Sequence, residues 1–128
     1  KPNLLFYKNL RNIKFHFDLM HGDGNLDKAI ELIDNKDKHD FNDFVNSKVS
    51  FNPHNMFLCK SSKILNDYYS SLFPWLEKCE KLFGFQLEGY GLKRIYGFLA
   101  ERYMSFWFRK YTNFSTMPII VNDISEIN

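Results

Sequence analysis

Two long runs keep a helical period, and no other part of the chain is large enough to hold a core against them. In residues 63–83, Tyr68, Leu72, Trp75, Leu76 and Cys79 recur at three- and four-residue steps, with Ile64, Leu65, Leu82 and Phe83 extending the face. Residues 89–111 follow after a glycine-rich break and carry aromatics together with three arginines and a glutamate. Amphipathic runs of this length point to an α-rich fold.

The chain of 128 residues has room for a single domain spanning 1–128. Its 14 phenylalanines and 18% aromatic content argue against disorder. A net charge of +2 gives no broad cationic field, so nucleic acid is not an expected partner. Cys59 and Cys79 lack the spacing of a zinc or redox motif and read as buried free thiols, which suits a reducing compartment. No apolar run approaches the roughly 20 residues of a membrane span. A start at Lys1 rather than Met suggests a piece of a longer protein.

Residues 4–7 form an apolar run of undecided type. Leu10, Ile13, Phe17 and Met20, widened by Phe15 and Leu19, predict a helix ending before Gly22, with a charged His21 facing the terminal carbonyls. Asn25 is placed to cap a second helix with Leu26, Ala29, Ile30 and Ile33 inward. Asp23-Gly24-Asn25 invites a metal reading, but the later bidentate Glu of an EF-hand is missing and the composition is ordinary for a turn. Residues 35–40 read as a charged connector before a short helix at Phe41, Phe44 and Val45. Met56-Phe57-Leu58-Cys59, after Asn52-Pro53, reads as a buried strand, and residues 117–121 as another. Pro74 is expected to kink or restart its helix, and Gly84 to stop it. The fold class is therefore α+β, α-rich, with about five helices and a few short strands.

Two constellations carry chemistry. His54 and Asn55 stand at the mouth of the 56–59 run, where polar groups can project into a cleft; the alternative is an Asn-Pro turn with an incidental histidine. Arg94, Gly97, Phe98 and Glu101 share one helix face. Glu101 there could accept a proton from a sugar hydroxyl, Arg94 and Arg102 could hold a phosphate or carboxylate, and Gly97 would admit a ligand. The alternative is an Arg–Glu arrangement that merely ties helices together. Tyr96, Tyr103 and Trp107 are candidates to stack on a sugar ring, against the commoner use of such residues as core.

Asn55-Met56-Phe57, Leu72-Phe73-Pro74, Arg94, Gly97-Phe98 and Glu101-Arg102, in this order and spacing, resemble the C-terminal half of a bacterial glycosyltransferase family catalogued as a domain of unknown function. That family is found with capsular polysaccharide, exopolysaccharide and lipopolysaccharide genes. The resemblance covers roughly residues 15–108 and implies the acceptor-side half of a GT-A-like enzyme. A nucleotide-sugar donor and a glycan acceptor are implied as partners, and Glu101 as the catalytic residue. His54, Asn55, Arg94, Arg102 and Tyr96 would then bind substrate. It also implies a divalent metal, Mn or Mg, held by a part of the enzyme outside this chain, and a cytoplasmic location at the inner face of the membrane. The sequence departs from the pattern in lacking an Asp-x-Asp motif, of which Asp23-Gly24-Asn25 is a degenerate echo, and in lacking nucleotide-binding βαβ units. The expectation is either a C-terminal piece of a longer enzyme or a relative without donor binding; the alternative is a non-catalytic helical module that docks on a glycan or a partner enzyme.

Overall fold

A computed structural model describes residues 11–118, two-thirds of them helical and none in a strand. The chain order is α1 (Ile13–His21), α2 (Asn25–Glu31), α3 (Asn35–Ser47), α4 (Ser62–Phe83), α5 (Tyr90–Lys93) and α6 (Ile95–Tyr111). The helical prediction therefore holds, while the expected strand at 56–59 is absent. The expected run at 4–7 and most of that at 117–121 lie outside the described residues.

The two long helices pack against each other and run antiparallel. Tyr68 meets Trp107 near one end, Trp75 stacks on Tyr103 at 4.9 Å in the middle, and the Tyr96 hydroxyl donates to the Gly84 carbonyl at the other end. Ser61 caps α4 by accepting from the Ile64 amide at 3.3 Å, and Gly84 closes it with φ +68°. The helix passes Pro74 without a break. Trp75 also donates its indole N–H to the Ala29 carbonyl at 2.7 Å inside the core, which ties α2 to this pair.

Helix α3 starts earlier than the sequence suggests, at Asn35. Residues 35–40 are its first turns because Asp37, near the positive end of the helix dipole, is fully buried and paired rather than solvated. Its Oδ1 accepts from Lys110 Nζ at 2.7 Å and from the Tyr111 hydroxyl at 2.5 Å. Phe41 packs on Phe106 at 5.1 Å, so α3 also lies antiparallel to α6. Burial opposes the charge on Lys110, but its hydrogen bonds to Asp37 and Asp40 outweigh that and hold its pKa above the ordinary lysine value.

Helix α1 buries Ile13, Phe17 and His21, one side chain per turn, while Leu19 and Met20 stand exposed. The predicted face was too wide: this nine-residue helix, packed on α2, α3 and α5, has one narrow inward stripe. Asn25 is the first residue of α2 rather than its cap, and its amide donates back to the His21 carbonyl at 2.9 Å. Against the end of α1 sits α5, so closely that a Cβ on Gly91 would lie 2.0 Å from the Met20 carbonyl oxygen. Gly91→Ala should therefore push α5 away and destabilise the protein by about 2–3 kcal/mol in urea titration.

Candidate functional site

Helix α6 does not begin at Gly89, as a single long helix would. It starts after Arg94, whose φ of −109° and ψ of 16° break it from α5. Along one edge follow exposed Gly97, half-buried Glu101 and buried Ser105, at four-residue steps. Residues 48–61, which link α3 to α4, cross this edge and are hydrogen-bonded to it at three levels. The Asn52 amide donates to Ser105 Oγ at 2.8 Å, the His54 amide donates to Glu101 Oε1 at 3.0 Å, and Asn55 Nδ2 donates to the Gly97 carbonyl at 3.0 Å.

At the tip of this strap, His54 has φ +71° and Asn55 φ +50°. Two successive left-handed residues are the sign pattern of a type I′ turn, where glycine is the cheap choice. Neither is glycine, and each such residue costs on the order of 1 kcal/mol, less for Asn. The bonds to Glu101 and Gly97 hold the turn in place, leaving the His54 imidazole exposed.

Beneath the turn lies a buried cation. Arg102 is 5% exposed, its guanidinium 4.2 Å from the centre of Phe51 and 5.3 Å from that of Phe17. Its Nη1 donates to Glu101 Oε2 at 3.0 Å and to the Phe98 carbonyl at 3.2 Å. Burial pulls its pKa down to about 10, which leaves it charged at neutral pH. Arg102 therefore does not present itself to a substrate; it fixes Glu101, and Glu101 fixes the turn.

His21 belongs to the same cluster. Its ring stacks on Phe98 at 4.0 Å, meets the edge of Phe17 and bonds through Nδ1 to the Gly91 carbonyl at 3.2 Å. Burial, reinforced by the positive charge of Arg102, lowers its pKa from 6.5 to about 4. The expectation of a charged His21 serving the helix dipole is thus overturned: the neutral ring is packed inside.

Arg94 is exposed and makes no ion pair with Glu101, so the two do not form the scaffolding bridge that sequence spacing allowed. Instead its guanidinium lies over Tyr90 at 5.0 Å and Phe98 at 5.6 Å and bonds the Tyr90 hydroxyl. Tyr96 points elsewhere, toward the end of α4, with its ring against Phe85. Tyr103 and Trp107 are core residues, 2% and 5% exposed, and offer no stacking face. The structure thus brings together His54, Asn55, Glu101 and Arg102, keeps Arg94 on the same helix edge, and separates Tyr96.

Sequence reasoning missed Ser105 and Tyr90. Ser105 continues the 97–101 spacing by one turn, and Tyr90 stands four residues before Arg94, so both were reachable by extending the same period.

A family model matches residues 3–113, and its description is Domain of unknown function (DUF4422). The chain belongs to the DUF4422 family. No curated protein and no solved structure matches it. The family description assigns no activity, so the chemistry of this DUF4422 chain has to be argued from its own residues. Among its described residues no group of three His, Cys, Asp or Glu is placed to hold a metal ion. In the turn of Asp23-Gly24-Asn25, the Asn25 amide is already committed to the His21 carbonyl.

Two measurements test the cluster. Arg102→Met leaves Glu101 partly buried without its cation and should cost about 2–4 kcal/mol, read from urea midpoints. For His21, the folded pKa of about 4 lies below the unfolded 6.5, so the unfolded chain binds more protons between these values. Its contribution to stability is complete above pH 6.5 and is lost as pH falls toward 4. His21→Phe should accordingly show a smaller drop in unfolding free energy from pH 7 to pH 4.5 than the parent protein.

Proposed function

We propose that this chain is the acceptor-side part of a nucleotide-sugar-dependent glycosyltransferase that builds bacterial surface polysaccharide: capsule, exopolysaccharide or lipopolysaccharide. The observation that carries the reading is the left-handed His54–Asn55 turn held beside Gly97. Gly97 is an exposed residue inside a helix, and apart from its chain neighbours and its own helix backbone nothing lies within 4 Å of the position its Cβ would take. Glycine there costs about 1 kcal/mol relative to alanine. Packing does not require it, whereas the close approach of a ligand does.

In this reading the ligand lies over Gly97, between the exposed imidazole of His54 and the guanidinium of Arg94. Arg94, stacked on aromatic rings and free of carboxylate partners among the described residues, is suited to a phosphate or carboxylate of the substrate. Asn55 and His54 supply hydrogen bonds at the mouth. Glu101 has both oxygens engaged and acts first as the residue that holds the turn. To accept a proton from an acceptor hydroxyl it would have to exchange one of those bonds for the substrate. The nucleotide-sugar donor, with any divalent ion, is assigned to a part of the enzyme outside this chain, and the acceptor would bring the enzyme to the inner face of the membrane. No described helix is long and apolar enough to cross it.

A second reading, a non-catalytic module docking on a glycan or partner enzyme, draws on the exposure of Met56 and Leu58 beside the same turn. Transfer assays on the protein expressed from its natural gene, with a panel of nucleotide sugars, separate the two. Gly97→Ala should raise stability by about 0.5–1 kcal/mol, and His54→Gly should leave it within about 0.5 kcal/mol, yet both should lose transfer by tenfold or more. Unchanged transfer in both variants would remove the turn from the site, and failure of the parent protein to bind any nucleotide sugar would favour the docking module.

A further inference from the structure

Tyr90 on α5 is a large aromatic residue that is 67% exposed and yet held in place. Its neighbour Gly91 is pressed onto the Met20 carbonyl. The Lys93 amide donates to the Gly89 carbonyl at 2.9 Å, which closes the single turn that carries Tyr90. From the junction with α6, Arg94 donates through Nη1 to the Tyr90 hydroxyl and lies over its ring, 5.0 Å from the centre. Behind the pair stands Phe98, 6.1 Å from the Tyr90 ring and 5.6 Å from the guanidinium, itself stacked on buried His21. An exposed ring and an exposed cation are thus fixed side by side by contacts within the chain, and a ligand that met both would not have to order them.

We infer that Tyr90 and Arg94 form a subsite for an acidic sugar, a pyranose ring bearing one carboxylate, on a glycan that extends from the opening at Gly97. The exposed ring surface of Tyr90 complements the C–H side of a pyranose, whose polarised hydrogens meet the negative face of the aromatic system. Arg94 supplies the acid's partner. A guanidinium has five N–H donors, of which the Tyr90 hydroxyl takes one, and no carboxylate among the described residues takes another. The Nε–Nη2 edge is left as a planar fork, the shape that binds a carboxylate through two parallel hydrogen bonds. The amount of charge selects the acid. Arg102 is buried and already balanced by Glu101, so Arg94 is the one uncompensated cation in this group of contacts. A single positive charge matches a sugar carboxylate, whereas a phosphomonoester carries about −1.5 to −2 and calls for a second cation. Ring and acid stand on one residue of a uronic acid, as Tyr90 and Arg94 stand on adjacent turns here. Calling that glycan the acceptor rests on the glycosyltransferase reading; the subsite itself does not.

Titration calorimetry on the protein expressed from its natural gene provides the test. The probes are hexamers of galacturonate, glucuronate and mannuronate, each beside its methyl ester, which keeps the rings and removes the charge, and a glycerol-phosphate oligomer as a source of phosphodiesters. At least one acidic hexamer should bind about tenfold more tightly than its ester. Arg94→Lys, which keeps the charge and loses the fork, and Tyr90→Ala, which removes the ring, should each weaken that binding about tenfold. Tyr90→Phe keeps the ring and should bind within about threefold of the parent. All three positions of change are exposed, and urea midpoints serve as the control that the variants are folded. Equal binding of acid and ester, unchanged binding in both Arg94→Lys and Tyr90→Ala, or no binding of any acidic hexamer overturns the inference. Tighter, Arg94-dependent binding of the phosphate oligomer overturns the choice of carboxylate. Acid-selective binding without nucleotide-sugar binding keeps the subsite and removes the glycosyltransferase reading, while transfer to a neutral acceptor that Arg94→Lys leaves unchanged does the reverse.

Discussion

A guanidinium buried among three phenylalanines has to be balanced where it stands, and most of the architecture around α6 follows from that requirement. Removing a cation from water costs several kcal/mol unless a counter-charge and hydrogen bonds replace the solvent. Arg102 obtains both from its own helix, through Glu101 one residue earlier and the Phe98 carbonyl one turn earlier. The faces of Phe17, Phe51 and Phe98 lie against it, while its Nε is buried without a hydrogen-bond partner among the described residues. These rings come from α1, the strap and α6, so a single charge sets the positions of three segments. Burial keeps His21, in the same cluster, neutral, and the positive charge of Arg102 reinforces this.

At the opposite end of α6 the signs are exchanged. There the buried group is an acid, Asp37, and the partially exposed cation Lys110 reaches in to it, with the Tyr111 hydroxyl on the same oxygen. Helix α6 is thus tied to the strap near its middle, at Glu101, and to α3 at its C-terminal end by ionic groups. Between these ties its buried residues are mainly large and apolar. The ties give register to a core of phenylalanine, tyrosine and tryptophan rings, which pack in many orientations with similar energy and by themselves specify alignment weakly.

This division decides what could be read in the sequence. The helices α1, α2, α4 and α6 were legible because a period of three and four residues survives whatever packs against it, and Gly84 marks the end of α4 by local chemistry alone. The start of α3 was not legible. Residues 35–40 look like a solvated charged connector until Lys110, 73 positions after Asp37, is seen to neutralise it. The protonation of His21 was misjudged for the same reason, since the residues that bury it come from α5 and α6. For residues 56–59 the local reading and the fold disagree in another way: the alternation of a strand is present in Met56, Phe57 and Leu58, and the ladder is not. In the site, helix spacing correctly grouped Arg94, Gly97 and Glu101, but it could not tell that Arg102 turns inward while Arg94 stays out.

Sequences usually agree with their folds at every level, and departures without a packing reason tend to mark positions kept for another purpose. Gly91 shows what a packing reason looks like, because a methyl group there would collide with the Met20 carbonyl. Gly97 has no such reason, nor do the left-handed backbones of His54 and Asn55, nor the nearly complete exposure of Leu58. These departures are not scattered. The Asn55 amide touches the Gly97 carbonyl, His54 is bonded to Glu101 one helical turn beyond, and Leu58 follows three residues after the turn. A buried ion pair holds this exposed and locally unfavourable edge in a single conformation. Rigidity of this kind is what a binding surface needs, since a ligand then meets groups already in place.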